Sequence, residues 1–141
     1  MKYSLVLILL VALQSCNSEK CNSVSNFDVG ELLLISSKEK SYNYCELLEN
    51  AIKKDQEAII KISLLQFDGS AGYDHGYVLV KLIDTIGENE YLKAIQNIYN
   101  KEKGFIEGYL DVGLEYGNIK KFQEQSLEKA FPKIYTFLTT K

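Results

Sequence analysis

Side chains able to do chemistry crowd into one stretch, residues 67–76 (FDGSAGYDHG), which holds the only histidine, two carboxylates, a hydroxyl and three glycines. One reading sets Asp68, Ser70, Asp74 and His75 around a single loop, with N–H groups at the start of the following helix free to take an anion. His75 would then serve as general base and Ser70 as nucleophile. The plainer reading has the glycines reversing the chain, Asp74 capping the helix, and His75 lying on the inner side of its first turn. Neither the GxxxxGK[ST] phosphate loop nor the GxSxG nucleophile elbow is present. With His75 as the sole imidazole, Asp68 and Asp74 make too thin a donor set for zinc, so no metal or cofactor is expected. A binding or structural role for this loop outranks catalysis.

Tyrosine is the second unusual feature, with ten in a chain that lacks tryptophan. Tyrosine suits the edge of a helical core and also protein interfaces. An interface would be centred on Tyr73 and Tyr77, beside the glycine loop. Glu107, Asp111 and Glu115 form an acidic stripe that suits either a solvated face or a basic partner. Gly76, Gly104, Gly108 and Gly113 fall inside helical pattern, where each costs about 1 kcal/mol against alanine. Close helix approach is the usual compensation, and Gly104 and Gly108 are expected to let their helix pack tightly within the domain.

These groups must be positioned by helices. Asn43 with Glu46 three residues on has the N-cap and N3 acid arrangement, and Tyr44, Leu47, Leu48, Ala51 and Ile52 follow at helical spacing. Asp55 caps a second helix carrying Ala58, Ile59, Ile62 and Leu65. The glycine-rich residues 68–72 are expected to stop it, and Tyr73 or Asp74 to begin a third that closes at Gly87. A fourth is expected over 88–99, and a fifth over 101–116 capped by Asn100. Pro132 divides the last stretch by opening a short terminal helix. Residues 27–36 are ambiguous between helix and strand. Short connections between helices imply antiparallel neighbours, so the expected fold is all-α: a compact bundle or stacked helical hairpins of five to six helices over residues 27–141. A weak echo between residues 55–62 and 88–95 suggests hairpin repeats.

The N-terminus carries an address. After Met1 and Lys2, residues 5–13 (LVLILLVAL) contain no polar side chain, too short to span a bilayer. The run ends Leu13-Gln14-Ser15-Cys16, which resembles the lipobox of bacterial lipoproteins, although Gln14 departs from the usual Ala or Ser. The resemblance implies removal of residues 1–15, a diacylglyceryl thioether on Cys16 and, usually, further acylation of its amine. Several acyl chains make a durable membrane anchor. Residues 17–26 (NSEKCNSVSN) read as a flexible spacer. Cys21 and Cys45 then form an even pair; they either bridge, stapling the tail to the first helix, or remain independent thiols.

The formal net charge of −3 and the absence of arginine disfavour nucleic acid as a partner. Two function classes remain. The leading one is a non-enzymatic envelope lipoprotein that binds a protein partner, similar in size, acidity and location to immunity proteins that neutralise toxins. The alternative is a small enzyme or ligand-binding protein using Asp68, Ser70, Asp74 and His75.

Overall fold

The computed structural model describes residues 21–140; the signal segment, the lipobox and Cys16 lie outside the described residues. Eight α-helices follow a single 3-10 turn at Asn22–Val24: α1 (Glu31–Glu39), α2 (Tyr44–Ile52), α3 (Gln56–Leu64), α4 (Gly69–Ile86), α5 (Glu88–Ile95), α6 (Asn100–Tyr116), α7 (Leu127–Ala130) and α8 (Pro132–Thr139). The described residues contain no strand. The all-α expectation holds, with more helices than the five to six anticipated. The ambiguous segment is helical from Glu31 onward, with Leu33 and Leu34 inward and Leu32 and Ile35 outward. The final stretch breaks into a 3-10 turn (Lys120–Phe122), α7 and α8, because Pro132 cannot continue a preceding helix and instead opens the last one.

Local signals set the boundaries of α2 and α3. The Asn43 side chain accepts from the Glu46 N–H at 3.3 Å and donates to the Glu46 carboxylate at 2.9 Å. Asp55 accepts from the Ala58 N–H at 2.8 Å. Each cap satisfies a donor that the first helical turn leaves unpaired. Gly87, at φ +93°, then turns the chain between α4 and α5 in a conformation L-residues rarely adopt.

The core is built around α4, whose most extensive contact is with α6. Val78, Leu79, Val80, Leu82 and Ile83 are covered on one partner, and Ile106 and Leu110 on the other. Their approach is set by two glycines. A Cβ at Gly76 would lie 2.5 Å from the Tyr109 carbonyl oxygen, and one at Gly113 would lie 2.1 Å from that of Gly76. The backbones touch where side chains would otherwise hold them apart.

A break separates α3 from α4 as expected, but it falls at residues 65–68, and Gly69, at φ +56°, opens α4 ahead of the expected start at Tyr73 or Asp74. Asp68 occupies the N-cap position and α4 begins at Gly69, so Gly72 and Gly76 are helical. Gly72 sits against the Phe67 carbonyl, where a Cβ would fall 2.9 Å from its oxygen. Here glycine records close packing rather than chain reversal. Gly104 and Gly108 show the opposite departure: a Cβ at either would meet nothing within 4 Å, so tight internal packing does not explain them.

The folded part also begins earlier than Phe27. Cys21 and Cys45 are joined by a disulfide, and Cys21, Val24 and Phe27 are each 7 % exposed. The later part of the expected spacer is therefore a strap, fixed to α2 and packed on the core. Among the described residues, no helix is long and apolar enough to cross a membrane.

Candidate functional site

The loop residues singled out by sequence do not converge. His75 is fully covered, whereas Asp68 and Ser70 are exposed at the start of α4. The Asp74 carboxylate faces the start of α1, where a Cβ at Gly30 would collide with it. The Asp68–Ser70–Asp74–His75 constellation is therefore split between surface and interior.

His75 occupies an aromatic box. The rings of Phe67, Tyr44 and Tyr109 lie 5.1, 5.8 and 4.8 Å from it between centroids, each edge-on. Such T-shaped pairs set a positive ring edge against a negative face. His75 Nδ1 is hydrogen-bonded to Tyr44 Oη at 2.7 Å, and Nε2 has no hydrogen-bond partner. Burial pushes the imidazole down to about 3, outweighing a small upward pull from the Leu65 backbone. A neutral ring without solvent access is poorly placed to shuttle protons. Tyr109 closes the box: its hydroxyl accepts from the Phe67 N–H at 2.7 Å and donates to the Phe67 carbonyl at 3.0 Å. That pair ties α6 to the chain entering α4.

The tyrosine reading leads elsewhere. Tyr73 and Tyr77, one turn apart on α4, line an open cleft of about 540 Å³ together with Asp74, Asp28 and Tyr116. The Tyr73 and Tyr116 rings meet edge-on at 5.1 Å and are 50 % and 59 % exposed. Asp28 comes from the strap and Asp74 from α4. Neither carboxylate has a cation partner among the described residues. Burial, then the charge of Asp28, raises the pKa of Asp74 above the ordinary carboxylate range. A cation entering the cleft would relieve that repulsion and could lie against a tyrosine face. Lys81 and Lys120 line the same cleft, and Lys81 is 4.0 Å from Asp84.

Sequence reasoning found Tyr73, Asp74 and Tyr77 but missed Asp28 and Tyr116 as their neighbours. No local pattern announces that pairing, since it depends on the strap crossing α4 and on the end of α6. It also missed the partners of His75, because Tyr44 and Tyr109 reach the ring from other helices. Among the described residues, no group of histidine, cysteine and carboxylate side chains could hold a metal ion. No protein-family model, curated protein or solved structure matches this chain.

Proposed function

We propose that this chain is a membrane-anchored bacterial envelope lipoprotein, held by lipid on Cys16, whose helical domain is a non-enzymatic binding module for a protein partner. The observation that carries the binding role is the open cleft of Tyr73, Tyr77 and Tyr116 with the unpaired carboxylates of Asp28 and Asp74. Exposed tyrosines supply large contact area at low entropic cost, and the two acids select a cationic group. The partner is thus a protein that presents a lysine or arginine side chain to this cleft. An immunity protein that neutralises a basic toxin is the case that best fits the chain's size, acidity and N-terminal address. The burial of His75, with Ser70 and Asp68 exposed, supports the binding reading over the enzymatic one.

The test is a crosslinking pull-down of the intact lipoprotein from its own envelope, read by mass spectrometry, beside a Tyr73→Ala/Tyr116→Ala variant and an Asp74→Asn variant. One dominant partner, lost from both variants while their helical content is unchanged, is the expected result. Equal recovery from all three proteins would remove the cleft from the interaction. Metabolic labelling with a palmitate analogue, abolished by Cys16→Ser, tests the anchor separately.

A further inference from the structure

The outer face of α6 carries a second feature, separate from the cleft. Lys101, Gly104, Phe105, Gly108, Asp111 and Val112 recur at helical spacing on the side opposite the buried Ile106, Leu110 and Gly113. Phe105 is 45 % exposed there, and the two glycines beside it have no neighbour that a Cβ would touch. Two glycines inside an exposed helix lower its stability, and no described residue packs closely enough on them to offset this. The surface is therefore flat on either side of a projecting ring; among the described residues nothing packs on its two glycines, and Lys101 lies 5.8 Å from the Tyr99 ring.

Its charges are arranged end to end. Lys101 lies at the N-terminal end, whereas Asp111 lies ten positions on, with Glu115 beyond it. Burial and the neighbouring Glu115 both raise the pKa of Asp111, so its charge is incompletely compensated. This polarity complements itself when two copies of the helix run antiparallel. A twofold axis near Ile106 sets Lys101 of each copy opposite Asp111 of the other. The same axis places each Phe105 over the bare surface at Gly108 of the other copy. The two pairings centre about half a residue apart, an offset within the reach of a lysine side chain, so one isologous contact can hold both. Acidic residues on the face tell against a lipid surface.

We propose that the outer face of α6 is a self-association surface, on which a second copy of this chain docks antiparallel with Phe105 seated at Gly108 and Lys101 paired with Asp111. One helix face is smaller than the roughly 800 Å² per partner typical of stable interfaces, so the association is weak and concentration-dependent.

Zero-length carbodiimide crosslinking of the full chain tests this directly. Within one helix, Lys101 and Asp111 are about 15 Å apart, too far for an amide bond between their own side chains. A crosslink between these positions must therefore join two molecules. The Lys53–Glu49 pair, 2.7 Å apart on α2, serves as an internal control for folding and chemistry. The expected result is a 101–111 crosslinked peptide whose yield rises with protein concentration. It should fall about tenfold in Gly108→Gln, equivalent to roughly 1.4 kcal/mol, and be absent in K101D, which has no amine at either position. The double exchange K101D/D111K should restore it. Formation of the control crosslink without any 101–111 crosslink, at every concentration tried, overturns the proposal. So does failure of the double exchange to restore what K101D loses. A lost pull-down partner in the Tyr73/Tyr116 variant leaves this outcome untouched, because the two surfaces share no residue.

Discussion

Tyr44 Oη and His75 Nδ1 lie 2.7 Å apart with both side chains fully covered, so a single buried hydrogen bond links the start of α2 to the second turn of α4. Its partners are also titratable, which makes the link visible in the pH dependence of stability. The folded ring resists protonation until about pH 3, whereas the unfolded ring protonates at its ordinary 6.5. Between those values the unfolded chain binds more protons, so stability falls as pH is lowered from 6.5 to about 3. The full shift corresponds to on the order of 5 kcal/mol. Urea titrations across this window should show the loss. In a Tyr44→Phe/His75→Leu variant the histidine's share should vanish; an unchanged acid slope would mean that carboxylates alone produce it.

The same pair can be separated by mutation. Tyr44→Phe leaves His75 with no hydrogen bond at either nitrogen, at a cost of about 1–3 kcal/mol. Removing both polar partners together should cost less than the sum of the single changes, because no orphaned group remains. Chemical denaturation of the two single variants and the double variant measures the difference. Strict additivity would show that the bond contributes nothing to folding.

Glycines on α6 should respond in opposite directions. Gly113→Ala drives a methyl into the Gly76 carbonyl, and overpacking of this kind costs about 1–3 kcal/mol or more. Gly104→Ala meets open space and should stabilise the monomer by about 1 kcal/mol. Thermal unfolding at low protein concentration distinguishes the two. Equal effects would contradict the close backbone approach at Gly76.

The contrast between these glycines marks how far the sequence can be read. Caps at Asn43 and Asp55 and the helical spacing of Ile59, Ile62, Leu79, Leu82 and Ile83 are local, and the structure follows them. A glycine signals only that a side chain is missing; whether backbone, loop or solvent fills the space depends on tertiary packing. Gly72 consequently reads as part of a break but is helical, and Gly104 reads as packed but is bare. The candidate site follows the same division. Tyr73 and Tyr77 were recognisable because they lie one turn apart, while Asp28 and Tyr116 come from distant segments.

The strap offers a redox test. The Cys21–Cys45 disulfide spans 24 positions, and closing a loop of that length stabilises by about 3 kcal/mol through the unfolded chain. Reduction should lower the urea midpoint accordingly. A Cys21→Ala/Cys45→Ala variant should behave alike with and without a dithiol. Because Asp28 follows the strap into the cleft, partner recovery should weaken in that variant too. Stability insensitive to reduction would indicate that Val24 and Phe27 hold the segment unaided.

Tyr109 provides the most local test of how α6 positions the start of α4. Its hydroxyl satisfies both the N–H and the carbonyl of Phe67, so Tyr109→Phe leaves two partly buried backbone groups without their partner. The expected cost is about 1–3 kcal/mol. The ring remains, so the aromatic box around His75 should stay filled and the fold should persist. Hydrogen exchange should therefore quicken first at Phe67, before the amides of Val78, Leu79 and Val80 in the covered part of α4. Uniform acceleration across α4 would instead indicate global unfolding and would assign Tyr109 to the core as a whole. Unchanged exchange at Phe67 would show that water replaces the phenol without loss, leaving ring packing as the contact that fixes this end of the helix.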